Sequence, residues 1–129
     1  MKVLIADDEA PARARLAALL ASCGPGYEVV DQVSSGAEVL RACDAQQVDV
    51  VLLDIRMPGM DGIQAALALA ERPEPPAVVF TTAYDEHALA AFDANAIDYL
   101  LKPVRPERLA LASAVAGWRF ASSYVPDRC

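Results

Sequence analysis

The sequence predicts an α/β fold in which one parallel sheet carries helices on both faces, and three observations lead to this prediction. Five short runs rich in Val, Ile and Leu alternate with five helix-like segments. Turn residues bound each run, which is typical of buried strands in a parallel sheet. The length of 129 residues suits a single domain with one core. Strict alternation of strand and helix then implies right-handed crossovers and helices on both sides of the sheet.

The strands follow from these apolar runs. The second run contains Glu28, Asp31 and Gln32, and this polarity is typical of an edge strand. We predict the strand order 2-1-3-4-5, which makes the first and third strands neighbours at the switch point of a doubly wound sheet. In chain order the five predicted strands are Lys2–Ala6, Tyr27–Val33, Val48–Leu53, Ala77–Thr81 and Ile97–Leu101.

The helices are predicted from apolar residues at helical spacing. On the first helix one face carries Leu16, Leu19, Leu20 and Cys23. Arg13 and Arg15 can point to solvent. The third helix is expected to bury a stripe made of Ile63, Ala66, Leu67 and Ala70. The fourth and fifth helices are marked by Ala88, Leu89 and Phe92, and by Leu111, Val115 and Trp118.

Residues typical of helix ends support these segments. Pro11 suits the first turn of the first helix, where a missing N–H costs nothing. Ser35 followed by Glu38 resembles a capping box for the second helix. The third helix must stop before the proline-rich segment 72–76.

Composition excludes several classes of function. A net charge of −7 argues against direct nucleic-acid binding, which needs a basic surface. No apolar stretch approaches the ~20 residues that span a membrane. An acid at Asp7 comes too early for a signal-peptide core, so a cytoplasmic location is expected. The three cysteines, Cys23, Cys43 and Cys129, are widely spaced and predict neither a metal site nor a disulfide framework.

Polar residues end four of the strands, and they define the candidate site. Asp54 closes the third apolar run and precedes a turn with Pro58 and Gly59. The other strand ends carry Asp7-Asp8, Thr81-Thr82 and Lys102-Pro103. Because ligands bind at the carboxyl edge of parallel strands, Asp7, Asp8 and Asp54 should converge where the first and third strands meet.

Three close carboxylates repel one another unless a proton or a cation neutralises them. Oxygen ligands of high charge suit Mg²⁺, which usually keeps several waters. We expect direct ligation by Asp8, Asp54 and one backbone carbonyl of the following loop, that of Arg56, with Asp7 acting through bound water. The alternative is that Asp7-Asp8-Glu9 merely opens the first helix, where acids favour the helix dipole.

A carboxylate can also attack a phosphoryl group and form a mixed anhydride. Charge neutralisation matters most in that transition state, and Lys102 can supply part of it as an ammonium at a neighbouring strand end. Thr82 offers a hydroxyl to the same phosphoryl group, although, for Thr82 considered alone, a β-branched residue ending a strand is nearly as good an explanation. Tyr99 alternates with core residues of the fifth strand, yet its hydroxyl needs a polar partner, which allows two ring positions.

Together these residues resemble the motifs of the receiver domain of two-component response regulators. The resemblance covers residues 2 to 118, and two stretches carry most of it, LDIRMPGMDG at 53–62 and AIDYLLKP at 96–103. The local sequence around Thr82-Ala83-Tyr84 is similar to that of receivers of the LytTR class, of the alginate-regulator type. The resemblance implies a flavodoxin-like (βα)5 fold and a receiver domain at residues 1–120. Residues 121–129 contain Ser, Pro and charge without periodicity, which predicts a tail or the start of a linker.

The resemblance further implies that Asp54 takes a phosphoryl group from a histidine kinase with Mg²⁺, as a switch rather than a turnover enzyme. Thr82 and Tyr99 would then move together and change the surface of the fourth helix, fifth strand and fifth helix. That surface would control a C-terminal DNA-binding domain absent from this chain, and it would support a phosphorylation-linked homodimer. Arg56 and Tyr84 would flank the path of attacking water and tune the loss of phosphate.

Three other functions compete with this interpretation. An aspartyl-phosphate phosphatase of the haloacid-dehalogenase type needs a second acid two residues after the nucleophile, where this chain has Arg56. A flavodoxin-like FMN binder needs a Ser/Thr/Gly-rich loop after the first strand, where Asp7-Asp8-Glu9 would repel phosphate. A structural interaction module would require a vestigial site, but no expected residue is missing.

Overall fold

The computed structural model describes residues 1–22, 26–82, 98–102 and 104, and these form a five-stranded parallel sheet with helices on both faces. The strand order is β2-β1-β3-β4-β5, which confirms the predicted order. In chain order the elements are β1 Lys2–Ala6, α1 Ala10–Ser22, β2 Glu28–Val33, α2 Gly36–Ala45, β3 Val50–Asp54, α3 Gly62–Ala70, β4 Ala77–Thr82 and β5 Asp98–Leu101.

β1 has the predicted bounds, while the other four strands differ from the prediction by one or two residues at one or both ends. The difference in the third strand matters most. β3 begins at Val50 and includes Asp54 as its last residue. Asp49 instead joins the starts of two neighbouring strands: its carboxylate accepts from the Lys2 N–H at 2.8 Å, and its carbonyl accepts from the Ala77 N–H at 2.9 Å. A polar residue in this position aligns β1, β3 and β4 at the edge opposite the candidate site.

Alternation along the strands divides the core between the two faces of the sheet. On one face Leu53 and Phe80 pack with α2 and α3, and this group is called the first core. On the other face Leu52 and Val79 pack with Leu16 of α1, and this group is called the second core. β2 is exposed or half-buried along most of its length, as an edge strand should be. Since β3 is buried at every position, Asp54 is held by a strand that is enclosed along its whole length.

The predicted helix ends are largely confirmed. Pro11 lies in the first turn of α1, and α3 ends at Ala70. The hydroxyl of Ser35 caps α2 by accepting from the Glu38 N–H at 3.3 Å. The Glu38 carboxylate returns to serine hydroxyls rather than to the cap backbone, at 2.9 and 3.1 Å. These hydroxyl donors lower the pKa of Glu38.

A complete capping box occurs at α3, where the sequence analysis did not predict one. The Asp61 carboxylate accepts from the Gln64 N–H at 2.8 Å, and the Gln64 side chain accepts from the Asp61 N–H at 3.0 Å. The pair satisfies two donors at the helix start. It also fixes where the loop after Asp54 ends.

The buried face of α3 corrects the predicted stripe. Gly62, Ala65, Ala66 and Leu69 are buried. Leu67, which was expected in the stripe, is 48% exposed. The stripe was therefore wrong by about one residue, because a helix composed almost entirely of Ala and Leu has no strong polar face to set its rotation. Contacts at Gly62, described below, set that rotation instead.

Cys43 is half-buried and free, as expected for a small apolar residue, and burial raises the pKa of its thiol. The predictions for Cys23, Cys129, the fourth and fifth helices and the segment 121–129 concern residues outside those described. Within the described ranges, α1, α2 and α3 each lack the length or the apolar character that a bilayer crossing demands.

The corrected face of α3 gives the first prediction. Replacing the fully buried Leu69 with Ala should lower the free energy of unfolding by about 2–5 kcal/mol, because a cavity is left in the first core. The matched change Leu67→Ala on the exposed face should cost less than about 1 kcal/mol. Urea denaturation measures both values, and equal losses for the two variants would contradict the assigned face.

Candidate functional site

The candidate site lies where the second-core face of the sheet reaches the carboxyl ends of its strands. The residues of β1 on this face are Val3 and Ile5, and Asp7 follows them just beyond the strand. In the same way, Leu52 of β3 is followed on this face by Asp54. Because β1 and β3 are paired neighbours, the two carboxylates arrive side by side at the sheet edge.

Lys102 bridges these two buried carboxylates from the end of β5. Its Nζ lies 2.7 Å from Asp7 Oδ2 and 3.5 Å from Asp54 Oδ1. The side chains of Asp7 and Asp54 are 0% and 8% exposed, whereas that of Lys102 is 23% exposed. The ammonium is therefore the direct counter-charge for two acids that water scarcely reaches.

Asp8 completes an acidic cluster. One carboxylate oxygen from each of Asp7, Asp8 and Asp54 can be chosen so that all three lie within 4.8 Å of one another. Asp8 is exposed and the other two are buried, so the cluster opens to solvent on the Asp8 side. A single ammonium cannot neutralise three carboxylates, which leaves excess negative charge at this opening.

The backbone around Asp7 explains how that residue is held. Its N–H donates to the Val33 carbonyl at 3.0 Å, and its Oδ1 accepts from the Glu9 N–H at 2.9 Å. The carbonyl of Asp7 accepts from Arg13 Nη1 at 2.7 Å. Both carboxylate oxygens of Asp7 thus already have donors, one from Glu9 and one from Lys102. Asp7 is consequently less available than Asp8 to bind a cation directly.

Arg13 was expected to point to solvent, and the structure corrects this. Its guanidinium is half-buried against the β1–α1 loop through the contact with the Asp7 carbonyl. Arg15 is exposed as predicted, yet it also donates to the Val104 carbonyl at 3.0 Å. A sequence pattern for a helix face does not reveal such contacts, because the accepting carbonyls belong to loops.

Burial raises the pKa of Asp54 to about 6 from an ordinary value of 3.8. The Lys102 ammonium and the Arg56 backbone N–H lower the pKa, while the neighbouring Asp7 raises it further. For Lys102, burial alone would lower the pKa, but its bonds to Asp7 and Asp54 outweigh burial and raise the pKa. The fold thus holds Asp54 in a charged form at neutral pH only against a free-energy cost.

The loop after Asp54 is fixed by a close approach that requires glycine. The Gly62 N–H donates to the Ile55 carbonyl at 2.8 Å. A Cβ on Gly62 would overlap the backbone carbonyl of Asp54 itself. The Gly36 N–H at the start of α2 binds the Met60 carbonyl at 3.2 Å, which holds the far side of the same loop. The sequence analysis missed both roles, since a glycine at a helix start is common for other reasons.

This loop borders an open cleft beside the acidic cluster. The cleft has a volume of about 780 Å³, and its lining comprises Asp8, Ile55, Arg56, Met57, Pro58, Asp61 and Ile63. Met57 itself is buried, in agreement with a packing role, and Arg56 is exposed. A reactant would therefore reach Asp54 from the side on which Asp8 and Arg56 lie.

The residues present fit a hard divalent cation. Carboxylate oxygens are the ligands that Mg²⁺ prefers, and the cluster carries more negative charge than Lys102 offsets. Asp8 offers an exposed carboxylate, and Asp54 lies beside it with few competing donors. The arrangement can bind such an ion and present a carboxylate oxygen as a nucleophile.

The structure thus brings together Asp7, Asp8, Asp54 and Lys102, as the sequence predicted, and places Arg56 at the cleft. Thr82 ends β4 and pairs with Leu101, and Tyr99 lies in β5. The side chains of Thr82 and Tyr99 are outside those described, as are all of Tyr84 and Pro103. The predicted roles of these residues stay predictions.

Comparison with known proteins gives a consistent result. The family model for the response regulator receiver domain matches residues 3–114. The positive alginate biosynthesis regulatory protein of Pseudomonas aeruginosa is 55% identical over 113 residues, which is 87% of this chain and 45% of that protein. The transcriptional regulatory protein LytR of Staphylococcus aureus is 39% identical over 109 residues, which is 84% of this chain and 44% of that protein. These relatives confirm the resemblance to the LytTR class.

A solved structure agrees with the fold. The response regulatory domain of mrkE from Klebsiella pneumoniae has a TM-score of 0.83 and 34% identity to this chain. The alignment covers 92% of this chain and 98% of that one. By contrast, the chain spans less than half the length of the two curated relatives, at 45% and 44%.

The raised pKa of Asp54 predicts how stability depends on pH without metal. The folded state binds a proton at Asp54 more tightly than the unfolded state does, so its contribution is complete below pH 3.8 and is lost as pH rises through 6. The variant Asp54→Asn has no carboxyl group to titrate at this position, so it does not lose this stability as the pH rises. It should exceed the wild type in unfolding free energy by up to about 3 kcal/mol at neutral pH, and by little near pH 4.

Urea denaturation in the presence of a chelator, repeated from pH 4 to pH 8, measures this difference. Asp31→Asn, on the exposed edge strand β2, is the matched control and should follow the wild type. If the unfolding free energies of Asp54→Asn and the wild type differ by the same amount at every pH, the raised pKa of Asp54 is not the cause.

The close approach at Gly62 gives a second prediction for this site. Gly62→Ala should lower the unfolding free energy by about 1–3 kcal/mol, because the helix must move away from the Asp54 backbone. Gly59 is the control, since it has a φ of 71° but open space around it. Gly59→Ala should cost about 1 kcal/mol from backbone strain alone, and Gly59→Asn should cost less. A neutral Gly62→Ala would disprove the close approach.

Proposed function

Because this chain belongs to the family of response regulator receiver domains, we propose that it is a phosphorylation-controlled signalling switch whose acceptor is Asp54. The observation that carries the proposal is the cluster of Asp7, Asp8 and Asp54 with Lys102 bridging two of its members. The donor would be the phosphohistidine of a histidine kinase. The reaction breaks the P–N bond of the donor and forms a P–O bond to Asp54, and the imidazole leaves after taking a proton.

Asp8 and Asp54 would hold Mg²⁺ directly, together with the backbone carbonyl of Arg56. Asp7 would act through bound water, which agrees with the donors that already occupy both of its oxygens. When bound, Mg²⁺ offsets the negative charge on a phosphoryl group and on the carboxylates around it. The site residues suit this ion by donor type and by their uncompensated charge.

Asp54 is suited to act as the nucleophile for two reasons. Its carboxylate lies at the end of a buried strand, beside the cleft by which a donor would enter. Lys102 Nζ lies 3.5 Å from Asp54 Oδ1 but 2.7 Å from Asp7 Oδ2, so it neutralises the charge of Asp54 less than that of Asp7. A deprotonated Asp54 is then the reactive form.

Lys102 would turn from the two carboxylates toward an oxygen of the transferred phosphoryl group. Asp54 loses its charge on forming the anhydride, so the ammonium has a stronger partner in the phosphoryl oxygens. Thr82 would donate its hydroxyl to the same group, and Tyr99 would follow Thr82. The result would be a population shift in the surface around β5, driven by differential bonding to the phosphoryl group.

The chain would act as a switch and not as a turnover enzyme. The position two residues after Asp54 is Arg56, which is exposed and cannot donate a proton as a carboxylic acid would. Hydrolysis would therefore be slow self-dephosphorylation, tuned by Arg56 and Tyr84.

We also propose how this chain is organised and which partners it has. Residues 1–120 would form the receiver domain, and residues 121–129 a tail or the start of a linker. LytR is named as a transcriptional regulatory protein, so the natural output would be a DNA-binding domain, while this acidic domain itself would not bind nucleic acid. The location would be cytoplasmic, and phosphorylation would favour a homodimer through the surface around β5.

A direct test uses acetyl phosphate as a small phosphodonor. Intact mass spectrometry should show one phosphate per wild-type chain with Mg²⁺ and none with a chelator. Asp54→Asn should abolish the product. Asp8→Asn should demand at least about tenfold more Mg²⁺ for the same rate, because one direct carboxylate ligand is lost.

Asp31→Asn, on the exposed edge strand β2 and outside both the acidic cluster and the lining of the cleft, is the control and should label normally. Labelling of Asp54→Asn at the wild-type rate would refute the acceptor. Continuous release of inorganic phosphate without a labelled chain would instead favour the phosphatase.

A further inference from the structure

The row of β4 on the second-core face also ends in a polar residue, and this residue is Thr81. Ala77 and Val79 belong to the second core, so the pleat places Thr81 on the same face. Asp7, Asp54 and Lys102 end the corresponding rows of β1, β3 and β5. Thr81 is thus a fourth polar residue at the carboxyl edge of this sheet face. Two of the other three, Asp7 and Asp54, are already bridged by the third, Lys102.

The register places Thr81 directly beside Asp54. The two residues are paired across β3 and β4, and their side chains therefore leave the sheet on the same side. Neighbouring strands lie about 4.8 Å apart, which is within reach of a hydroxyl and a carboxylate after a rotation about χ1. The Thr81 carbonyl is used by the Ile55 N–H at 3.3 Å, so the backbone at this position is already fixed.

Among the described residues, the hydroxyl of Thr81 has no hydrogen-bond partner, although it is fully enclosed. Thr81 is 0% exposed, and within the described parts of the chain its Oγ1 is a buried side-chain atom that makes no hydrogen bond to protein. An enclosed hydroxyl without a partner destabilises a fold. Valine has nearly the same shape and lacks that cost, and Val78 and Val79 already occupy this strand. The hydroxyl therefore contributes nothing to the structure as it stands.

Asp54 has spare accepting capacity next to this spare donor. A carboxylate offers about four acceptor positions. In the structure Asp54 receives the Arg56 N–H and the distant Lys102 ammonium at 3.5 Å. If Lys102 turns to a phosphoryl group, Asp54 loses one of these donors while Thr81 remains beside it.

We propose that Thr81 is a positioning residue for Asp54, whose hydroxyl donates to the Asp54 carboxyl group once Lys102 has turned to a transferred phosphoryl group. This role rests on the proposed function of Asp54 as the phosphoryl acceptor. The hydroxyl would fix the rotation of the Asp54 side chain and so keep its second oxygen aligned with the cation. The enclosed donor would be idle in the resting state and bonded in the loaded state.

The test compares Thr81→Val, which removes the hydroxyl, with Thr81→Ser, which keeps it and loses the methyl group. Urea denaturation is carried out with and without Mg²⁺ and beryllofluoride, a tetrahedral mimic of a phosphoryl group on a carboxylate. Without these ligands, Thr81→Val should unfold at a urea concentration equal to or above that of the wild type. Its apparent affinity for beryllofluoride should nevertheless fall by about three- to tenfold, as for the loss of one hydrogen bond to a charged or polar acceptor.

Thr81→Ser should show the opposite pattern, with lower resting stability and nearly wild-type affinity for beryllofluoride. A role confined to packing would move resting stability and not this affinity. Equal affinities of the wild type and Thr81→Val would overturn the role of Thr81 and leave Asp54 as the acceptor. A wild type that does not respond to Mg²⁺ and beryllofluoride would overturn the proposed function, and the role of Thr81 with it.

Discussion

The bridge from Lys102 to two enclosed carboxylates is the interaction on which the rest of the site depends. Its ammonium lies 2.7 Å from Asp7 and 3.5 Å from Asp54, and both acids are almost wholly removed from water. Without this positive charge the fold would have to bury two repelling anions with no counter-charge, which is far costlier than leaving them exposed. With it, two negative charges still remain uncompensated once Asp8 is counted, because three carboxylates face one ammonium. That residual negative charge favours the binding of a cation.

The pleat of the parallel sheet brings these charged groups together, because alternate residues of each strand lie on the same face. On the second-core face, β1, β3 and β4 carry only apolar residues until the position that reaches the site, and that position is polar. In β5 the polar Lys102 follows the buried Leu100 on the same face. The second core therefore holds the charged groups by their backbones, while their side chains emerge at the sheet edge. Gly62 and Gly36 hold the loop after Asp54 against the starts of two helices, so Asp54 is tied to both α2 and α3 through this loop. In the proposed switch, these ties would allow a small change of bonding at Asp54 to be transmitted rather than absorbed.

The strand order and most of the site residues could be predicted from the sequence, because local sequence patterns determine both. Strand ends with polar residues identify Asp7, Asp54 and Lys102, and the alternation of strand and helix gives the sheet order that brings them together. The rotation of α3 could not be predicted, since its Ala and Leu residues offer no polar face and the close approach of Gly62 decides it. Arg13 could not be placed either, because its partner is a loop carbonyl. Thr81 was overlooked in favour of Thr82, as only the register with β3 reveals which residue shares the face of Asp54.

The central claim is that Asp54 is a buried carboxylate at the end of β3 whose charged form Lys102 supports and a bound metal ion would stabilise further. Carbon-13 NMR of the Asp54 carboxyl carbon, followed against pH with and without Mg²⁺, measures this most directly. We expect a pKa of about 6 in the absence of the ion, and a pKa well below that value when the ion is saturating. An ordinary pKa near 3.8 that Mg²⁺ leaves unchanged would contradict the account.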